Sequence, residues 1–224
     1  MSESDGLLRI DLFAGGPFSQ NGYLLRDPAT QRAAIVDPGA STPRMIAALR
    51  ESGEELEAVY LTHAHIDHVE GIPLVRAYSN APIYLHPDDL PLYDRVESQA
   101  AWFGLTLPDP LPRPDRELQP GTKIAVGGHE LEVRFAPGHA PGHVIFYSKE
   151  LSLALVGDVV FAGSIGRTDL PGGDFRQLMD SIRSQVLTLP DETRLLTGHG
   201  PETTVRNERL GNPFLISQAP GHFA

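Results

Sequence analysis

Residues 63–68 read His-Ala-His-Ile-Asp-His, placing three imidazoles and a carboxylate within six positions, straight after the apolar run EAVYLT (57–62). Such a concentration of nitrogen and oxygen donors suits a metal site. In an irregular turn at a strand end, His63 and His65 can reach one metal ion, and Asp67 and His68 an adjacent one. Three further candidates stand in the same context: His139 after HELEVRFA, Asp158 closing LALVGD, and His199 after TRLLT. Each follows an apolar run and sits beside a glycine, which permits a tight turn next to a ligand. A lone histidine is more often structural than ligating. Together, however, these residues would complete two coordination shells at one edge of a sheet. Two divalent cations sharing a water lower its pKa from ~15.7 to about 7, which makes hydrolysis at neutral pH the chemistry to expect.

The rest of the composition narrows the choice. The chain has 224 residues and no cysteine, so disulfides, a cysteine nucleophile and iron–sulfur clusters are excluded, and histidine and carboxylate alone must hold any metal. A net charge of −11 disfavours nucleic acid and anionic membranes as partners. MSESDGLL has no basic segment leading into a long apolar run, and no uninterrupted apolar stretch reaches ~18 residues. A cytoplasmic enzyme acting on a small molecule is therefore expected, with no nucleic-acid or membrane partner.

Short apolar runs separated by Gly and Pro must position these residues. LLRIDLF (7–13), GYLLR (22–26) and AAIVD (33–37) read as a meander of strands. A helix follows, with Thr42 as N-cap, Pro43 in its first turn, and a stop at Gly53 after Ser52. After EAVYLT and the polar loop 63–68 come a helix near 69–78, a strand PIYLH (82–86), a helix over 88–100 and a Pro-rich connector over 104–120. TKIAV, HELEVRFA, HVIFYS and LSLALVGD read as four more strands. Asp174 opens a helix with Gln177 in the capping-box position, and Phe175, Leu178, Met179, Ile182 and Val186 share its apolar face. TRLLT (193–197) is a last strand. Two runs of strands with flanking helices predict an α+β fold, an αββα four-layer sandwich of two mixed sheets, as one domain over 1–224 with tails at 1–6 and 217–224. AAIVD and LALVGD, each a short apolar run ending in Asp, hint at a duplicated half. Trp102 and Phe103, in the connector after the 88–100 helix, could line a substrate groove or a dimer contact, but as paired aromatics they are better placed in the core.

The motif HxHxDH, followed by Pro137-Gly138-His139, Gly157-Asp158 and Gly198-His199, resembles the metallo-β-lactamase superfamily over roughly residues 7–205. Gly163-Ser164-Ile165-Gly166-Arg167-Thr168-Asp169-Leu170 and the later His199-Gly200-Pro201-Glu202 are similar to the short bacterial glyoxalase II-like hydrolases. That resemblance implies one metal on His63, His65 and His139 and a second on Asp67, His68 and His199, with Asp158 bridging both. Asp67 and Asp158 are the carboxylates it places in catalysis. It also implies that Asp37 supports the ligand loop from behind, that His143 is structural rather than ligating, and that Arg167 falls where a glutathione-binding lysine stands. Arg167 equally fits one half of a structural salt bridge with Asp169 or Asp174. The implied cofactors are two divalent ions, zinc foremost with iron or manganese as alternatives. The implied substrate is S-D-lactoylglutathione or a related acyl-thioester. The longer glyoxalase II enzymes end in a helical glutathione-gripping domain, for which the residues after His199 are too few. Persulfide dioxygenases look similar too, and would use a single iron on His63, His139 and Asp158. A hydrolase of lactones or phosphodiesters is the remaining alternative.

Overall fold

The computed structural model describes residues 7–107 and 110–216, so both expected tails lie outside the described residues. The opening runs form an antiparallel meander of β1 (Arg9–Gly15), β2 (Gln20–Asp27) and β3 (Arg32–Val36). The helix α1 (Thr42–Ser52) then crosses over to β4 (Glu55–Tyr60), which lies parallel to β3, as a parallel pair requires. Gly53 ends α1 in the left-handed conformation, at φ 77°, with its N–H on the Leu49 carbonyl. The N-cap is Ser41 rather than Thr42, and neither hydroxyl caps the helix: Ser41 donates to the Phe13 carbonyl and Thr42 to that of Gly39.

The segment 63–68 is only half irregular, because Asp67 and His68 already belong to a short helix, α2 (Ile66–Val69). After α3 (Ile72–Tyr78), β5 (Ile83–Leu85) joins the sheet parallel to β4. The helix expected over 88–100 is broken into a 3-10 turn at Pro87–Asp89, α4 (Leu90–Tyr93) and α5 (Val96–Trp102). The Leu92 carbonyl accepts from Arg95 N–H, three residues on, and from the Gln99 amide, so the helical ladder stops there. Within the connector, β6 (Arg116–Glu117) adds an edge strand that the sequence reading missed.

The second half supplies β7 (Lys123–Val126), β8 (His129–Phe135), β9 (Val144–Ser148) and β10 (Leu153–Gly157), each antiparallel to the next. A small unexpected hairpin follows, β11 (Val160–Phe161) with β12 (Ser164–Ile165). The helix α6 (Phe175–Ser181) starts at Asp174, whose carboxylate accepts from Gln177 N–H, and continues as a π-helical turn at Ile182–Val186. Its predicted face is buried at Leu178, Met179, Ile182 and Val186, whereas Phe175 is 42% exposed. Next, β13 (Arg194–Thr197) pairs parallel with β10, and β14 (Thr203–Thr204), α7 (Val205–Gly211) and α8 (Pro213–Ile216) complete the described chain. None of its helices is long and apolar enough to cross a membrane.

Two six-stranded mixed sheets result, in the orders β1-β2-β3-β4-β5-β6 and β14-β13-β10-β9-β8-β7. The central strands β9 and β10 are buried at every position because both faces are covered. Leu25, Ala34, Val36, Phe146 and Leu155 meet between the sheets; their neighbours Leu24, Ala33 and Ile35 pack on Met45 and Leu49 of α1. On the other side, Ile145, Tyr147, Ala154 and Val156 pack on Leu178 and Ile182. The layers are thus α, β, β and α. The hinted duplication is visible as topology: β1-β2-β3-α1-β4 and β8-β9-β10-α6-β13 share strand order, pairing sense and crossover. Asp37 and Asp158 follow equivalent strands of the two halves.

Candidate metal centre

The loops leaving the carboxyl ends of β3, β4, β8, β10 and β13 meet at one edge of the sandwich, and they carry Asp37, residues 63–68, His139, Asp158 and His199. His63, His65 and His139 place ring nitrogens within 4.8 Å of one another, and Asp67, His68 and His199 place their donor atoms equally close together. Asp158 stands between the two groups. Its Oδ2 is 3.4 Å from His139 Nε2 and 3.4 Å from His199 Nε2, and its Oδ1 is 3.4 Å from His68 Nε2. Asp67 Oδ2 lies 3.2 Å from His199 Nε2.

These donors suit a pair of cations. His63 Nε2, His68 Nε2 and Asp158 Oδ1 are buried without a well-formed hydrogen bond, although His68 and Asp158 face each other at 3.4 Å. The opposite ring nitrogen of each of four histidines is held: His63 Nδ1 by Thr62 Oγ1 at 3.0 Å, His68 Nδ1 by Asp37 Oδ2 at 3.0 Å, His139 Nδ1 by the Arg167 carbonyl at 2.7 Å, and His199 Nδ1 by the Phe18 carbonyl at 3.0 Å. A proton fixed on Nδ1 leaves the Nε2 lone pair free to coordinate. The residues present therefore fit two metal ions.

Asp37 is the hub behind the donors. It has φ 53°, a left-handed conformation that Asp adopts more readily than most residues. Thr62 gives its hydroxyl to Asp37 Oδ2 at 2.7 Å and its N–H to Oδ1 at 2.7 Å, so the Thr62 oxygen must accept from His63. Asp37 thus orients His68 directly and His63 through Thr62. His143 binds backbone: its Nε2 accepts from Asp158 N–H at 3.0 Å, and its ring stacks on His63 with centroids 4.7 Å apart.

Charge divides the cluster in the chain alone. Burial pushes His63 and His143 well below the ordinary imidazole range and His65 to about 3, with His139 adding to the effect on His65. His199 goes the other way despite its burial, rising to about 10 on its hydrogen bonds to Asp158 and Asp67. His68 is likewise raised well above its usual value, because Asp158 and Asp67 outweigh its burial. Asp158 is held well below the carboxylate range, its burial outweighed by His68 and His199. Protons on His68 and His199 thus balance the two carboxylates where a cation would otherwise do so.

Two residues that the sequence reading missed hold the loop. Asp89, fully buried, accepts from Ala64 N–H at 2.8 Å and Gly142 N–H at 2.5 Å, clipping the 63–68 segment to the one bearing His139. Gln99 accepts from Ile66 N–H and donates to the Ala64 and Leu92 carbonyls. Neither carries a motif, and only the folded chain brings them to the loop. The hairpin of β1 and β2 clamps the other side: Asn21 bonds the backbone of Thr197, Gly198 and Gly200, and Tyr23 donates to the Thr197 carbonyl.

A cavity of about 260 Å³ opens onto the centre, walled by Phe18, Leu92, Trp102, Phe103, Leu170 and Pro171. Trp102 and Phe103 are 60% and 40% exposed, so they face this space and are not in the core as expected. The helix α5 ends at the rim, with Trp102 its last residue and Phe103 its C-cap. Arg167 also lines the cavity, with its guanidinium paired to both oxygens of Asp169 at 2.7 and 2.8 Å.

Comparison with known proteins agrees with this geometry. The sequence profile of the metallo-beta-lactamase superfamily matches residues 15–199. Hydroxyacylglutathione hydrolase GloC of Haemophilus influenzae is 37% identical over 214 residues, spanning 95% of this chain and 100% of that protein. Among solved structures, TTHA1623 in a di-iron-bound form is 41% identical with a TM-score of 0.83, covering 92% of this chain and 100% of the other. The BLEG-1 B3 metallo-beta-lactamase is 35% identical with a TM-score of 0.81, covering 92% and 99%.

Proposed function

This chain belongs to the metallo-beta-lactamase superfamily and is a metal-dependent hydrolase, and we propose that the bond it cleaves is a thioester, in the manner of glyoxalase II. The observation that carries the reading is the convergence of two donor sets on Asp158, with buried lone pairs turned toward one another and no other acid on the cavity wall among the described residues. His63, His65 and His139 would hold one ion, Asp67, His68 and His199 the other, and Asp158 both. When bound, the pair supplies Lewis acidity and a water that ionises near neutral pH.

The chain's own residues do the rest. Asp37, Thr62 and the carbonyls of Phe18 and Arg167 fix the tautomers of four of the five ligating imidazoles, and the cavity wall beside them is largely apolar. Hydrolysis breaks the C–S bond and forms a C–O bond to the acyl carbon, and the water's protons end on the thiol and in solution. A thiol leaves with a pKa near 8.5 and needs no strong general acid, which suits a wall whose polar side chains besides the proposed ligands are, among the described residues, Gln99 and the paired Arg167. Zinc is the proposed metal because histidine-rich sites suit it. Iron is the alternative, supported by the di-iron-bound relative. The location proposed is the cytoplasm.

Elemental analysis of the purified protein, run beside an assay of thiol release from S-D-lactoylglutathione, tests this reading. Two metal equivalents with turnover are expected, and Asp158→Ala is expected to lose both together. One iron per chain, with oxygen uptake on glutathione persulfide, would overturn it in favour of a dioxygenase on His63, His139 and Asp158. A β-lactam arm belongs in the same assay because of the likeness to BLEG-1.

A further inference from the structure

We propose that the acyl group of the substrate is uncharged and apolar, that it is seated against Trp102, Phe103 and Phe18, and that the thiol carrier runs out to solvent without being gripped. This rests on the thioester reading above and names its substrate class. Among the described residues, the polar side chains on the cavity wall outside the proposed metal ligands are already engaged. Gln99 uses its oxygen on Ile66 N–H and its amide on the Ala64 and Leu92 carbonyls, and Arg167 is tied to Asp169. What remains facing the cavity is apolar: Phe18, Ile66, Leu92, Trp102, Phe103 and Leu170.

Glutathione brings two carboxylates and an ammonium, and carriers of that kind are recognised by unpaired charges. Among the described residues, the wall offers one cation, paired with its neighbour, on a chain of net charge −11. Size argues the same way. At about 260 Å³ the cavity falls below the ~300–1,000 Å³ of pockets that enclose a drug-sized ligand. Of the two groups on the reacting carbonyl, only the acyl side has a free end that can terminate in so small a space; a peptide-like carrier must leave it. Phe18 and Phe103 stand edge to face, with centroids 5.1 Å apart, and with the exposed indole of Trp102 they line the space an acyl group would enter.

The test uses four esters, lactoyl and 3-phenylpropanoyl, each on glutathione and on N-acetylcysteamine, with the metal-loaded enzyme and kcat/KM as the readout. The phenylpropanoyl esters should exceed the lactoyl esters by about tenfold on either carrier, at the low end of the ~10–200-fold that a hydrophobic pocket draws from a single methylene. Exchanging glutathione for N-acetylcysteamine should change kcat/KM by less than about threefold, and Arg167→Ala should leave that carrier ratio where it was. Trp102→Ala, at an exposed position, should keep its metal content and cut the acyl ratio by about tenfold. A preference of about tenfold or more for glutathione whatever the acyl group, lost in Arg167→Ala, would overturn the proposal and leave the thioester reading standing. So would an acyl ratio unmoved by Trp102→Ala. No thiol release from any of the four esters by protein holding two metal equivalents would remove the thioester reading, and this proposal with it.

Discussion

Replacing Asp37 with Asn tests how far a carboxylate outside the donor set governs it. Asn keeps the size of the side chain and accepts φ 53°. Asp37 Oδ2 takes hydrogen bonds from the Thr62 hydroxyl and from His68 Nδ1, and Oδ1 takes one from Thr62 N–H. An amide has one oxygen to offer. If that oxygen replaces Oδ1, the NH2 group faces His68 Nδ1, and His68 must move its proton to Nε2, the atom that faces Asp158 and Asp67. A protonated nitrogen binds no cation. If the oxygen replaces Oδ2, the NH2 group meets Thr62 N–H, donor against donor, in a buried site. Either way a charge-assisted hydrogen bond worth about 1.5–3 kcal/mol is lost. At ~1.4 kcal/mol per tenfold that is about 10–150-fold in affinity, close to the ~10–100-fold typical of residues that orient metal ligands. The assay titrates metal-free protein with zinc against a competing chelator, with circular dichroism to check the fold. The equivalent bound through His68 should weaken by about 10–100-fold, and the one bound through His63, reached only by way of Thr62, should weaken less. Wild-type affinity for both equivalents would refute the relay.

Three further outcomes follow from the same geometry. A Cβ on Gly198 would run into Asp158 Oδ1 and lie 2.9 Å from His68 Cε1, so Gly198→Ala should lose the second equivalent of metal and about 10²-fold in kcat/KM; an unchanged metal count would contradict this. His199 is raised to about 10 in the metal-free chain, so its pairing stabilises that form fully below the unperturbed ~6.5 and is lost as pH climbs through about 10. Below that range a metal must displace the proton, so zinc affinity should rise with pH, and calorimetry in buffers of different ionisation enthalpy should register proton release at pH 7. Asp89→Ala strips the acceptor from Ala64 and Gly142 N–H, at about 1–3 kcal/mol each, which should lower Tm by at least ~4 °C in a thermal melt.

The donor loops were legible because local chemistry announces them: a strand, then His or Asp beside Gly, in separate stretches of sequence. The layers were legible for a related reason, since strands apolar at every position, such as Leu153–Gly157, have to be covered on both faces. Features set by tertiary partners were hidden. Nothing local says that Asp89 and Gln99 reach the loop at 64–66, or that two-residue strands such as Arg116–Glu117 pair at all. Trp102 and Phe103 misled because aromatic size argues for burial, whereas the end of α5 leaves both on a cavity rim. The N-cap slipped by one residue because the hydroxyl of Ser41 serves β1 and that of Thr42 the preceding loop.

The repeated topology has a mechanical consequence. Each proposed coordination set draws donors from both halves, His63 and His65 with His139, and Asp67 and His68 with His199, while Asp158 reaches across from the second half. A bound ion would act as a rivet through the seam, and neither half could retain one by itself. Chelation should therefore loosen the seam before it melts either layer, and severed halves mixed together should recover metal only when they dock.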